Sequence, residues 1–457
     1  MSDETVPNIS TQKSQPGSDP ATTRTDRTET EVGSVFVSNY PAYSFWSEED
    51  VPQAHRALAD PPRPDTKLGL YLHIPFCRKR CKFCYFRVYT DKNSQQIQTY
   101  LDALAREVEH YAQQPAIKDQ PLHFIYFGGG TPSYISSRHL RSLVQRLKDA
   151  MPWDRADEIA FECEPGTLTQ AKLEAIRAIG VTRLSLGIEN LDDEILRHNG
   201  RAHVSKEIYQ VMPWIHALDF AQVNVDLIAG MVGETWPSWR QTVQKTIEFD
   251  PDSVTVYQME LPYNTVYSKD LLAGDGEPLA LADWKTKRAW HAYAFEQLSA
   301  AGYVRSSAYT MKKTPDARFA YRDAVWTGQD MIGTGVASFS HLSGVHYQNA
   351  PNWDEYLGAI DRGDLPIHRA FATNCEEQLI REVILQLKLG ALDTAYFRTK
   401  FGVDIVAHFT AALSGLRDEG MLQFDADSVA LTDEGLMRVD QLLPDFYQTQ
   451  YRNARYT

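Results

Sequence analysis

Between residues 67 and 260 the chain alternates short apolar runs with longer stretches whose apolar residues recur at helical spacing. The runs GLYLHI at 69–74, HFIYF at 123–127, EIAFE at 158–162, RLSLG at 183–187, VNVDLI at 223–228 and SVTVYQM at 253–259 read as strands. Segments 97–111, 137–150, 168–179, 206–218, 236–249 and 281–301 read as helices with mixed apolar faces. Strands alternating with helices predict an α/β fold built on parallel strands. Six such strands predict an open or partial (β/α)6 barrel.

Beyond about residue 365 the pattern changes. Helices are expected at 376–389 and 403–416, then a short two-stranded turn in LRDEGMLQFDADSVALTDEGL, which together suggest a small winged-helix-like α+β domain. That segment is rich in Asp and Glu and poor in Lys and Arg, which argues against DNA as its partner. Residues 1–40 lack apolar periodicity and are expected to be a disordered tail. The divisions expected are therefore a tail (1–40), a lead-in (41–66), a core with an extension (67–364) and a C-terminal domain (365–457). A chain of 457 residues with 43% hydrophobic content can bury such a core.

No run of eighteen apolar residues occurs and the N-terminal stretch is polar, which argues against a membrane span and a secretory leader and for a cytoplasmic protein. A net charge of −14 disfavours nucleic acid and anionic membrane surfaces as partners. Five cysteines are too few for a disulfide framework, and three of them form Cys77-x3-Cys81-x2-Cys84 just after the first expected strand. The carboxyl end of a strand is where β/α folds place chemistry. Three thiolates can hold three irons of a cubane and leave the fourth iron open. Taken alone, the loop also admits a zinc site with His73 as fourth ligand. Cys163 and Cys375 sit singly and are expected to be buried small apolar residues.

Further motifs follow in order: FGGGTPS at 127–133, FECEP at 161–165, RLSLGIEN at 183–190, Arg201 twelve residues after Glu189, VNVDLIAG at 223–230 and YQMELPYNT at 257–265. With the cysteine loop and Tyr71, six positions before the first cysteine, the chain resembles the HemN-like radical S-adenosylmethionine (SAM) family from about residue 67 to its C-terminus. The resemblance implies a [4Fe–4S] cluster on Cys77, Cys81 and Cys84. It implies SAM binding, to two molecules, by Tyr71, Phe83, Gly129, Gly130, Thr131, Glu162, Glu189, Arg201, Asp226 and Met259. Glu189, Arg201 and Glu260 are the implied catalytic positions. The chemistry implied is electron transfer into the SAM sulfonium, C–S cleavage, and hydrogen abstraction from a small-molecule substrate by the 5′-deoxyadenosyl radical. A flavodoxin or ferredoxin would suit as electron donor.

Three positions depart from family patterns. Phe86 stands where coproporphyrinogen dehydrogenases usually have a fourth cysteine. Tyr321 to Trp326 reads YRDAVW where heme chaperones carry HNxxYW, and Glu189 stands where glutamine is common. The acids Glu189 and Glu260 favour a neutral or cationic substrate, unless Arg305 or Arg322 reverses the balance. The expected activity is C-methylation or cyclopropanation of an aromatic, heterocyclic or unsaturated substrate. The alternatives are oxygen-independent oxidation of a porphyrinogen propionate and heme carriage.

Overall fold

A computed structural model describes residues 29–274, 279–452 and 454. The six expected strands are β1 (Leu68–Ile74), β2 (Leu122–Gly129), β3 (Glu158–Cys163), β4 (Arg183–Glu189), β5 (Gln222–Ala229) and β6 (Ser253–Gln258). They lie side by side in chain order, every neighbouring pair parallel. Their near-continuous burial follows from covering on both faces: helices lie outside, and side chains fill the inside. Helix Ser94–Tyr111 shows how the outer layer is specified. Asn93 and Gln96 form a capping box at its start, and Leu101, Leu104 and Val108 turn inward to the sheet.

The sheet is wider than six strands. On one edge β9 (Asp330–Thr334) pairs in parallel with β1 and is followed by antiparallel β10 (Phe339–Leu342), β11 (Val345–Asn349) and β12 (Ile367–Ala372). On the other edge β6 pairs antiparallel with β8 (Thr310–Lys312), which pairs with β7 (Val304–Arg305), giving a 12-stranded sheet. These additions are short, and β9 and β11 are buried on both faces, so they carry no alternation to read.

The segment Ala320–Trp326 is a helix that closes the barrel floor. Tyr321 packs against Phe124 and Tyr126 and, with Phe319, joins Tyr71 in one buried cluster. It does not line the main cavity, and neither do Arg305 and Arg322, which pair with Asp433 and Asp323. The arginines that could have offset the acids are therefore turned elsewhere.

The C-terminal part begins with helix Cys375–Leu387 and carries a three-stranded antiparallel sheet, β13 (Ala391–Asp393), β15 (Ser428–Leu431) and β14 (Leu422–Phe424). It has its own core, in which Val383, Leu387, Phe397, Leu413, Val429 and Leu443 are buried. The single helix expected over 403–416 is two, Ile405–His408 and Thr410–Asp418. The Thr410 hydroxyl donates to Val406 O and Ala407 O, competing for the carbonyls that would continue the first turn. Cys375 is exposed, not buried as expected, while Cys163 is buried.

Of the expected tail, residues 1–28 lie outside the described residues. The stretch 34–40 is not loose: it runs over the barrel mouth, with Val37 and Tyr40 buried in the C-terminal core. Among the described residues no helix is long and apolar enough to cross a membrane.

Candidate active site

The carboxyl ends of β1 to β6 open into a cavity of about 430 Å³. Its lining includes Cys77, Cys81, Cys84, Phe83, Gly129, Gly130, Thr131, Glu162, Glu189, Arg201, Asp226, Met259 and Glu260. The fold thus gathers nearly all the residues singled out in the sequence. Tyr71 is the exception: it lies below the cavity, stacked on Tyr126 with ring centroids 5.7 Å apart.

Three motifs meet at one edge. Gly130 N donates to Ile74 O (2.9 Å) and Thr131 N to Phe76 O (2.9 Å), so the glycine loop is stitched to the start of the cysteine loop. A side chain at Gly130 would sit 2.8 Å from Ile74 O, and Gly129 has φ +106° with the His73 ring 2.5 Å from where a Cβ would be. Only glycine fits that approach. Thr131 Oγ1 lies 3.2 Å from Cys77 Sγ. The Glu162 carboxylate accepts from Tyr126 OH (2.6 Å) and Gly129 N (3.2 Å), and burial pushes it up to about 7.

Across the cavity, β4 ends in a bulge that places Glu189 at φ +63°. Arg201 braces it: Nη2 donates to Gly187 O (2.6 Å) and Nη1 lies 3.6 Å from Glu189 Oε1. The same Nη1 donates to Cys81 Sγ (3.4 Å), while Nε is buried without a partner. Burial raises Glu189 to about 7, with Arg201 pulling it back down. Asp226 accepts from Ser185 Oγ (2.9 Å) and Asn224 Nδ2 (2.9 Å), and burial raises it too. Glu260 faces the cavity, but its carboxylate takes Ser34 Oγ, Val35 N (3.2 Å) and Phe36 N (3.4 Å), so it anchors the N-terminal stretch over the mouth. Met259 O accepts from the buried Lys287 Nζ (2.7 Å).

Sequence reading missed two braces. Glu164 accepts from His203 Nδ1 (2.8 Å) and Arg78 Nη2 (3.3 Å), and His203 Nε2 reaches Ile188 O (3.3 Å), linking the cysteine loop to the β4 bulge. The signal available was Glu164, two residues after Glu162 and just before Pro165. At the far wall, Asp440 binds Tyr309 OH, Val37 N (2.9 Å) and Lys388 Nζ (2.7 Å). Nothing local in the sequence marks that cluster.

The donor set fits an iron–sulfur cluster. Burial pushes the Cys77 thiol up to about 11 and Cys84 to about 12. Desolvated thiols of this kind are stabilised as thiolates by a bound cation. All three thiols line the same cavity. Three cysteines in one cavity lining match the three thiolates of a cubane with one iron left open, whereas a structural zinc site normally takes four ligands. His73 is committed elsewhere, with Nε2 on Arg87 O (3.3 Å), and burial lowers it to about 4.

Comparison with known proteins agrees. The family model described as the Radical SAM superfamily matches residues 71–246, and the HemN C-terminal domain model matches residues 375–438. The chain belongs to the HemN-like radical SAM family. The oxygen-independent coproporphyrinogen III oxidase of Pseudomonas aeruginosa is 27% identical to this HemN-like chain over 427 residues, 88% of this chain and 90% of the relative. The heme chaperone HemW of Bacillus subtilis is 24% identical over 378 residues, 82% and 98% of the two chains. The solved structure of coproporphyrinogen III oxidase (HemN) from Escherichia coli superposes with a TM-score of 0.78 at 24% identity, covering 90% of this chain and 96% of that one. This HemN-like chain is a radical SAM enzyme, and its family chemistry uses a [4Fe–4S] cluster and SAM.

Proposed function

We propose that this enzyme catalyses oxygen-independent oxidative decarboxylation of a porphyrinogen propionate, the coproporphyrinogen III oxidase reaction. One observation carries the reading: end-to-end likeness to oxidases of that name, over 88% of this chain in one case, with the residues matched by the family motifs gathered in one cavity. It displaces methyl transfer or cyclopropanation as the first expectation, since neither family model nor the relatives quoted above supports those reactions.

In this reading Cys77, Cys81 and Cys84 hold the cluster. When bound, the cluster supplies one electron that cleaves SAM and yields the radical that takes hydrogen from substrate. The side-chain-free backbone at Gly129 and Gly130, with Thr131 beside it, gives the amino acid end of SAM close approach, and Glu162 accepts from its ammonium group. The unpartnered Nε of Arg201 and the adjacent Glu189 carboxylate address its carboxylate and sulfonium. Phe36, Tyr257, Tyr309 and Trp284 supply an aromatic wall for a flat, largely apolar ring system. Residues 34–36 and 436–441 roof the cavity and exclude water.

A second reading, C-methylation with two SAM molecules, is favoured by one feature: Glu162, Glu189, Asp226 and Glu260 are four buried acids in a cavity that would otherwise receive a polycarboxylate. Incubation of the anaerobic, cluster-loaded enzyme with SAM, a reductant and coproporphyrinogen III separates the two. Carbon dioxide, a vinyl product and 5′-deoxyadenosine are expected. S-adenosylhomocysteine with a methylated product would replace the first reading by the second.

A further inference from the structure

Glu162 brings a carboxyl to the cavity wall without a counter-ion: among the described residues no cation pairs with it. The titratable groups that face it are Asp226 on β5, Glu189 on β4, Cys163 on its own strand, and the phenols of Tyr71, Tyr257 and Tyr321 on β1, β6 and the floor helix. None of these offers a positive charge, so the charged carboxylate depends on hydrogen bonds. It has two: Gly129 N donates to Oε2 (3.2 Å) and Tyr126 OH to Oε1 (2.6 Å). Each oxygen keeps a lone pair for a further donor.

Tyr126 is held to that contact. Its ring is buried, stacks on Tyr71 with centroids 5.7 Å apart, and lies 4.6 Å from Tyr321 and 6.0 Å from Phe319. Gly128, the first glycine of FGGGTPS, makes the space: a Cβ there would lie 2.7 Å from Tyr126 Cε1. With the ring clamped by its neighbours, the hydroxyl has one acceptor among the described residues, Glu162. Tyr126 itself does not line the cavity, so its effect on a ligand passes through that carboxylate.

We propose that Tyr126 is a positioning residue: from beneath the cavity its hydroxyl holds the Glu162 carboxylate in the orientation that receives the ammonium group of SAM. The inference rests on the SAM contact assigned to Glu162 above and on no particular substrate. Burial pushes Glu162 up to about 7, and the Tyr126 hydrogen bond pulls the other way by favouring the charged form. Tyr126→Phe keeps the ring and removes the hydroxyl. Glu162 then loses the shorter of its two bonds and takes up its proton at a higher pH than in the parent. Once protonated, it carries no charge to meet the ammonium group.

The test is calorimetry of SAM binding across the pH range around neutrality, on anaerobic protein loaded to equal iron–sulfur absorption in every variant. Tyr126→Phe is expected to bind SAM ~10-fold more weakly at neutral pH, as loss of a hydrogen bond to a charged group does, with the gap closing as pH rises. Ring-fluorinated tyrosine at position 126, a stronger donor of nearly the same shape, should hold affinity to lower pH than the parent. Glu162→Gln should bind weakly throughout, and the double variant about as weakly, because Tyr126 works through that carboxylate. Parent-like affinity of Tyr126→Phe at every pH would overturn the proposal, as would a fluorinated protein indistinguishable from the parent. So would a loss of one size at all pH values, the mark of a packing role, or a loss that adds in full to that of Glu162→Gln. Parent-like affinity of Glu162→Gln would overturn the SAM contact itself, and the proposal with it.

Discussion

At the scale of single residues, Arg201 carries the most. Its guanidinium touches Cys81 Sγ, Gly187 O and Glu189 from one place, which a lysine ammonium cannot reproduce. Arg201→Lys should lower activity about 10–100-fold, as loss of a group that orients ligands does, with the deficit mainly in KM for SAM in steady-state assays. Glu189 makes a pH prediction. With its carboxyl raised to about 7, it is charged above that pH and protonated below it. Affinity for the cationic SAM should therefore hold above pH 7 and fall as pH drops through it. Glu189→Gln should remove part of that slope, leaving the share of Glu162, which is also raised to about 7. Anaerobic titration calorimetry across pH reads this directly, and an unaltered slope in the variant would refute the role. Cys77, Cys81, Cys84, Gly129 and Glu162 were legible because their spacing and strand-end position carry the signal. Glu164, His203, Tyr309 and Asp440 were not, because their roles arise from partners up to 403 positions away.

At the scale of elements, the alternation of strand and helix was readable because each strand is a continuous buried run and each helix carries a face. Where elements are two to five residues long, as in β7 to β11, the runs are too short to show a period, and in β9 and β11 burial on both faces removed the alternation as well. What holds those added strands to the barrel is buried polar chemistry. Glu107, on helix Ser94–Tyr111, accepts from Gly335 N (2.8 Å), Asn349 Nδ2 (2.6 Å) and Tyr356 OH (2.6 Å), tying that helix to β11 and to the turn after β9. Glu107→Ala orphans these donors and should reduce stability by about 3 kcal/mol or more, at 1–3 kcal/mol for each unsatisfied buried group. Glu107→Gln, which keeps the shape, should lose much less. Urea unfolding of the two variants against the parent gives both numbers.

At the scale of the whole molecule, the cavity exists because three distant pieces close on it: the barrel, the stretch 34–37 and the C-terminal domain. Lys388 and Asp440 form the latch. Lys388, 1% exposed at its side chain, pairs with Asp440 and also donates to Val37 O. Replacing Lys388 by methionine leaves Asp440 buried with neutral partners alone, a change worth about 3–5 kcal/mol. Limited proteolysis should then cut sooner within residues 29–40 than in the parent. This latch was not legible beforehand, since its parts, Val37, Lys388 and Asp440, lie in three separate segments.

The central claim is that the three-thiol loop turns SAM into a hydrogen-abstracting radical, and one measurement addresses it. The protein is purified anaerobically, reconstituted with iron and sulfide, reduced and given SAM, and 5′-deoxyadenosine is quantified beside a Cys81→Ala variant treated identically. Deoxyadenosine from the parent and none from the variant is the predicted result. No deoxyadenosine from either, with zinc rather than iron in the purified parent, would contradict the account at its base.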